Sequence, residues 1–166
     1  LVVEPNNFGY SSNDFNRHLE DVLNKYTSML PGAYLADELW SPRLIPIFPR
    51  PYLYNSNTAI YTHSLDSTTV FLEDIYDSLV SGNKDGEFLK EDVRKLFGLE
   101  KQLFNMIEDA KTRLNNYGHK IQDKVFMVGF SASGNFVNRY TTIFPEQLKA
   151  TYAGAINTNA TIPASY

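Results

Sequence analysis

Lys124-Val125-Phe126-Met127-Val128-Gly129-Phe130-Ser131-Ala132-Ser133-Gly134-Asn135-Phe136-Val137 is the stretch on which the reading of this chain turns. The short apolar run from Val125 to Val128 predicts a buried strand that ends at Gly129. A helical pattern starts almost at once, with Phe136, Val137, Tyr140, Ile143 and Phe144 on one side. Strand, tight turn and helix leave Ser131 on the turn itself. A strand-to-helix turn of this kind lifts a serine Oγ clear of a sheet.

Such a turn, a nucleophile elbow, has strict steric demands. The residues two before and two after the serine must be small, because strand and helix pass close together there. Gly129 and Ser133 fill these positions and Gly134 follows, so the usual G-x-S-x-G becomes G-x-S-x-S-G. Taking Ser133 as the nucleophile puts Asn135 at a crowded position, which favours Ser131. A phosphate loop fits less well: Gly129 and Gly134 have the Walker spacing, but Asn135 stands where the lysine belongs.

The 166 residues amount to one domain, 43% hydrophobic and 14% aromatic, enough for a substantial core. A net charge of −4 gives no electrostatic footprint for nucleic acid or an anionic membrane. No apolar run is long enough to span a bilayer. With no cysteine, disulfides, thiolate metal sites and cysteine catalysis are excluded, while the compartment stays open. No signal peptide is visible, and Leu1 already lies inside an apolar run.

Leu1 to Pro5 predicts a strand, followed by an Asn-rich turn at Asn6 to Gly9. A helix follows, capped near Ser11 to Asn13, with Phe15, Leu19, Val22, Leu23 and Tyr26 at helical spacing and an end near Met29 to Gly32. Arg43 to Phe48 reads as a second strand interrupted by Pro46. The aromatic and polar loop from Tyr52 to Ser67, with Arg50 just before it and His63 within it, is of the type that lines pockets. A structural or surface place is the simpler role for His63. Thr69 to Val80 predicts a helix with Phe71, Leu72, Ile75, Tyr76 and Leu79 inward, and a short helix runs from Phe88 to Phe97. Ser81 to Asp92 approaches an EF-hand loop, but Ser81 stands where Asp is required and Asp92 where Glu is required, so a plain Asp-Gly turn is the better reading. Leu99 to Tyr117 is the clearest amphipathic helix, with Leu99, Leu103, Met106, Ile107, Ala110, Leu114 and Tyr117 in one stripe and Glu100 among its polar residues. His119 falls at the surface before the elbow strand, and Lys149 to Ile156 is a last strand. Strands alternating with helices indicate an α/β fold with a parallel sheet and right-handed crossovers, the elbow strand central.

The stretch from Lys124 to about Ile156 resembles the elbow region of the α/β-hydrolase superfamily, most closely the esterase and polyhydroxyalkanoate-depolymerase-like branch. The turn Phe144-Pro145-Glu146-Gln147-Leu148-Lys149-Ala150, Arg50-Pro51 and Tyr61-Thr62-His63-Ser64-Leu65-Asp66 are similar to segments of uncharacterised bacterial hydrolases of that type. The resemblance implies a serine hydrolase of ester-like substrates without a cofactor or metal. Ser131 is then the nucleophile. The backbone N–H of Ala132 and one from the Asn6, Asn7, Phe8 loop bind the oxyanion, and Arg50 and His63 are candidate pocket residues.

In that family the triad runs Ser, then Asp or Glu, then His. After Ser131 this chain has neither His nor Asp, and its one acid is Glu146. His18, His63 and His119 all lie upstream. A serine without a general base is a poor nucleophile at neutral pH. The expectation is therefore a single hydrolase-like domain over 1–166 that is a fragment, lacking the first strands and the C-terminal acid and histidine. Such a piece has open sheet edges prone to self-association or to pairing with the missing segments of the same protein. An upstream histidine in a permuted arrangement, or a degenerate non-catalytic α/β binding module, are the alternatives.

Overall fold

The computed structural model describes residues 1–6, 14–25, 31–50, 62–81 and 93–157. Strands β1 (Val2–Val3), β2 (Arg43–Leu44), β3 (Val125–Phe130) and β4 (Leu148–Gly154) form one sheet in the order β2-β1-β3-β4. All neighbours are parallel, with Val2 opposite both Arg43 and Phe126 and Phe126 opposite Ala150. The α/β class and the interior position of the elbow strand are thus as the alternation of patterns predicts. The β1–β2 ladder continues past both strands, with the N–H groups of Val2, Glu4 and Asn6 donating to the carbonyls of Pro42, Leu44 and Pro46. Pro46 keeps its acceptor and lacks only a donor, which an outer strand tolerates.

Among the described residues the main helices are α1 (Phe15–Lys25), α2 (Pro31–Glu38), α3 (Ser67–Val70), α4 (Leu72–Ser81), α5 (Leu99–Asn116) and α6 (Ala132–Ile143). Pro31 opens α2, where the reading from sequence expects a helix to end. Proline suits the first helical position, because the missing N–H has no partner there. The buried Glu4 carboxylate accepts the Gly32 N–H at 3.1 Å and lies 3.5 Å from Arg43 Nη1. Burial raises its pKa, while the Gly32 N–H and Arg43 pull it back. Asp66 caps α3 through Thr69 N–H at 2.8 Å.

Two apolar clusters follow from the pleat of the sheet. Val2 and Val128 meet Ala36 and Leu35 of α2 on one face. Val3, Val125 and Met127 meet Leu99, Leu103 and Ile107 of α5 and Phe136, Val137 and Tyr140 of α6 on the other. Beside the larger cluster runs a polar chain: Tyr140 Oη donates to Gln147 Oε1 at 2.5 Å, and Gln147 Nε2 donates to Glu108 Oε1 at 2.9 Å. It joins α5, α6 and the turn before β4. Burial raises the Tyr140 pKa, and Glu146, Glu108 and Glu100 raise it further.

Several expected faces are corrected. On α1, His18 and Val22 turn inward, while Phe15 is 47% and Leu23 62% exposed. The apolar stripe there is too short to fix the rotation, and His18 takes the buried place. Phe71 is exposed because it stands between α3 and α4, which are two short helices instead of one. Tyr117 and Ile143 are exposed at the ends of their stripes. Glu100, expected among solvated charges, is buried in the first turn of α5, where a helix dipole favours an acid. Tyr26, the Asp-Gly turn within 82–92 and most of the helix expected from Phe88 lie outside the described residues.

These assignments separate two aliphatic truncations. Ile107→Ala should cost about 2–5 kcal/mol in denaturant unfolding. Leu23→Ala, expected from periodicity alone to be comparable, should stay within about 0.5 kcal/mol of the parent.

Candidate functional site around Ser131

Ser131 caps the start of α6 with φ 59° and ψ −121°. A serine is rarely held at such a positive φ, and this geometry costs about 1–3 kcal/mol. The surroundings over-determine it. Ser131 N–H donates to the Gly154 carbonyl at the end of β4 at 2.9 Å, and the Ser131 carbonyl accepts the Asn135 N–H at 3.1 Å. Ser133 Oγ accepts the Phe130 N–H at 2.9 Å and stands 3.0 Å from the Phe130 carbonyl, to which it donates. The second serine is therefore more than a small residue: its hydroxyl ties the last residue of β3 to the first turn of α6, which glycine cannot do. Sequence reading valued only its size.

The glycines at this turn are required by contact. A Cβ on Gly129 would stand 2.3 Å from the Ser133 carbonyl oxygen, and one on Gly134 would stand 2.3 Å from that of Gly154. Both distances are below any that real Cβ atoms adopt. Gly129 and Ser133 occupy the crowded positions expected on either side of Ser131, and Gly134 is as crowded against β4.

The strand order puts Ser131 where ligand sites form in open α/β sheets. From β1 the chain moves outward to β2 and then crosses back to β3, so the order reverses between β1 and β3. The crevice outside the carboxyl ends of such a strand pair is the usual binding place. Ser131 follows β3 there and is exposed. Ala132 holds the first helical position, whose N–H no helical carbonyl can reach. Asn6 follows β1 at the same sheet edge and is buried, but its N–H is engaged with the Pro46 carbonyl at 3.3 Å. That removes Asn6 N–H from the expected oxyanion donors. Asn7 and Phe8 lie outside the described residues.

The two expected pocket residues do come together. His63 is buried in the turn Thr62–Ser64, and its ring centroid lies 6.4 Å from that of His18. The Arg50 N–H reaches His18 Nε2 at 3.5 Å. Burial first, then Arg50 and His18, push the His63 pKa down to about 3. The nearby Phe48 backbone works weakly the other way, outside good hydrogen-bonding geometry. The turn is fixed to α6 by Arg139 Nη1, which donates to the Ser64 carbonyl at 2.5 Å. Arg139 stands about two turns along α6 from Ser131, roughly 12 Å by helical rise. The burial of His18 escapes sequence reading, because a lone histidine in an amphipathic pattern scores as polar. His119 is exposed and lines a cleft beside Pro42 and Lys124, which precede β2 and β3, at the far sheet edge from Ser131. Among the described residues no group of three acidic or histidine side chains is placed to hold a metal ion, and no helix is long and apolar enough to cross a membrane.

Neither protein-family models, nor curated proteins, nor solved structures match this chain.

The turn geometry makes opposed expectations for two neighbouring positions. Gly134→Ala should lose about 2–3 kcal/mol through overpacking against the Gly154 backbone. Ser131→Gly should gain about 1 kcal/mol, the relieved strain exceeding the extra freedom glycine has when unfolded. Paired urea melts check both.

His63 carries a pH signature. Its folded pKa lies below the unfolded value of 6.5, so the unfolded chain binds the extra proton between pH 6.5 and about 3. Stability contributed by the neutral ring is present above that window and lost as pH falls through it, at up to about 1.4 kcal/mol per pH unit. Between pH 6.5 and 4.5, His63→Asn should therefore lose about 2–3 kcal/mol less than the parent, read as a smaller shift in denaturant midpoint.

Proposed function

We propose that this chain carries the nucleophile of a serine hydrolase acting on ester-like substrates, in an α/β-hydrolase-type domain. The observation that carries the reading is the Ser131 backbone, at φ 59° and ψ −121° between a parallel strand and a helix. Glycine would make the same turn at lower cost, so the packing of strand and helix does not account for a serine there. Its use is to hold Oγ above the sheet edge, beside an uncommitted helical N–H.

In this reading Ser131 Oγ bonds to the acyl carbon, and the carbonyl oxygen takes the developing negative charge. The Ala132 N–H meets that oxygen, and a donor from the Asn7 to Phe8 loop is the second. The alkoxide leaves as an alcohol after protonation, and water then releases the acid from Ser131. The step requires a general base to accept the Oγ proton. His63 is a poor candidate, since a group with a pKa of about 3 has little affinity for a proton at neutral pH. His119 is on the wrong sheet edge.

The test uses the full-length protein with a fluorophosphonate probe and p-nitrophenyl acetate. The probe should attach to Ser131, located by peptide mass spectrometry. Ser131→Ala should lower the hydrolysis rate by at least about 10³-fold. Ester hydrolysis by Ser131→Ala within a few-fold of the parent, or no labelling of the parent, favours a binding module without turnover.

A further inference from the structure

Helix α2 ends in a six-residue hydrogen-bonded stop. Ser41 N–H donates to the Ala36 carbonyl at 2.9 Å and Trp40 N–H to the Asp37 carbonyl at 3.1 Å. These are the two bonds of a Schellman motif, and they put Trp40 at the position that takes a left-handed backbone. Trp40 indeed has φ 48°. Glycine is the usual residue there, because a Cβ is strained in that conformation. A bulky aromatic is a costly choice, and burial does not offset it: the Trp40 side chain is 95% exposed. The chain's one tryptophan thus stands in a strained backbone and returns almost no packing.

Trp40 borders a cleft. It has a volume of about 400 Å³ and is lined by Trp40, His119, Lys120, Lys124, Phe126 and Lys149 among others. Leu1, Pro42 and Lys124 immediately precede β1, β2 and β3, so the cleft lies at the amino edge of the sheet. The six residues of β3 separate it from Ser131, roughly 20 Å. A second cleft, of about 550 Å³, shares Trp40, Ser41, Pro42 and His119 with it and adds Ala36 and the acidic Asp37.

The walls are built. Gly118 at φ 90° turns the chain after α5, and His119 N–H closes that turn on the Leu114 carbonyl at 3.0 Å. Asn115 Oδ1 accepts the Ile121 N–H at 2.9 Å, and Lys111 Nζ donates to the Asp123 carbonyl at 2.9 Å. Three lysines and a histidine line the first cleft without a single carboxylate, on a chain whose net charge is −4. Lys149 contacts Gln122 Oε1 at 2.9 Å and the Phe126 ring at 5.4 Å there, and its charge also acts on the Leu1 amino group. Like charges gathered around a concave surface repel one another, and an anion between them relieves that repulsion. An exposed indole face is the best side-chain surface for stacking a flat ring. The cleft volume is that of a small-molecule site.

We propose that this cleft binds a small organic anion carrying a flat aromatic ring, with the ring stacked on Trp40 and the anionic group among Lys120, Lys124 and Lys149. Nucleoside monophosphates and aromatic carboxylates share this chemistry. The site is independent of Ser131, and its ligand is bound, not turned over.

Because Trp40 is the one tryptophan, its fluorescence reports the site directly. AMP, benzoate, adenosine and inorganic phosphate are titrated into the chain. AMP or benzoate should change the emission with a Kd below about 1 mM, and whichever binds tighter identifies the nucleotide or the carboxylate source. Adenosine and phosphate should each bind at least about tenfold more weakly than AMP if AMP is the tighter ligand. The double substitution Lys120→Ala, Lys124→Ala should weaken binding by about tenfold or more. Trp40→Gly, followed by calorimetry because the reporter is gone, should melt about 2–4 °C higher than the parent and lose binding. Trp40→Asn, which tolerates the same backbone, repeats the binding measurement if the glycine variant is poorly behaved. The proposal is overturned if neither AMP nor benzoate shifts the emission. It is also overturned if the lysine substitutions leave binding unchanged, or if the Trp40 variants bind as the parent does.

Discussion

Helix α6 approaches strands β3 and β4 so closely that neither Gly129 nor Gly134 has room for a single methyl group. The rest of the architecture is arranged around that contact. For the helix to leave the strand at so short a distance, the chain must reverse within one residue, and Ser131 supplies the reversal through a positive φ. Three neighbouring elements then hold it in place. The end of β4 accepts its N–H, the first turn of α6 accepts nothing from it but bonds to its carbonyl, and Ser133 bridges back to Phe130. A conformation costing about 1–3 kcal/mol persists because each of these would be lost if it relaxed.

The same contact explains why polar groups recur on the far side of α6. Phe136, Val137 and Tyr140 are fully buried against the sheet and α5, so the helix is fixed in rotation. Its next face then meets the turn at Thr62–Ser64 through Arg139. That meeting shelters His63, whose ring is kept neutral by the lack of water around it, with Arg50 as the next influence. Histidine chemistry in this molecule is thereby divided. One pair is sealed inside, and His119 is open to solvent at the other end of the sheet.

The strand, turn and helix around Ser131 were legible because they rest on local rules: an unbroken apolar run, small residues at fixed offsets and a 3.6-residue pattern starting within the turn. The long helix α5 was legible for the same reason. What sequence missed depends on tertiary placement. The rotation of α1 is decided by where His18 finds a buried place, and an apolar count cannot see that. Pro31 signals a start as readily as a stop, and only Glu4, buried beside Gly32, shows which it is. Asn6 looked like a free loop donor until the extension of the β1–β2 ladder to Pro46 used its N–H. Trp40 carried no signal at all, since its interest lies in a backbone angle and in lysines more than seventy residues away.

The pairing pattern also orders events in time. Val125 pairs with Leu148, about 20 residues on, whereas Val2 pairs with Phe126, about 120 residues on. Closing the longer loop costs about 1.5 kcal/mol more chain entropy than closing the shorter one. The β3–α6–β4 unit is the cheapest parallel pairing for the chain to make, and contacts of low sequence separation form fastest. The strained serine therefore belongs to the part of the molecule best placed to assemble first, with β1 and β2 added to an edge that already exists. A turn that is costly in isolation is in this way folded together with the very strand and helix that compel it.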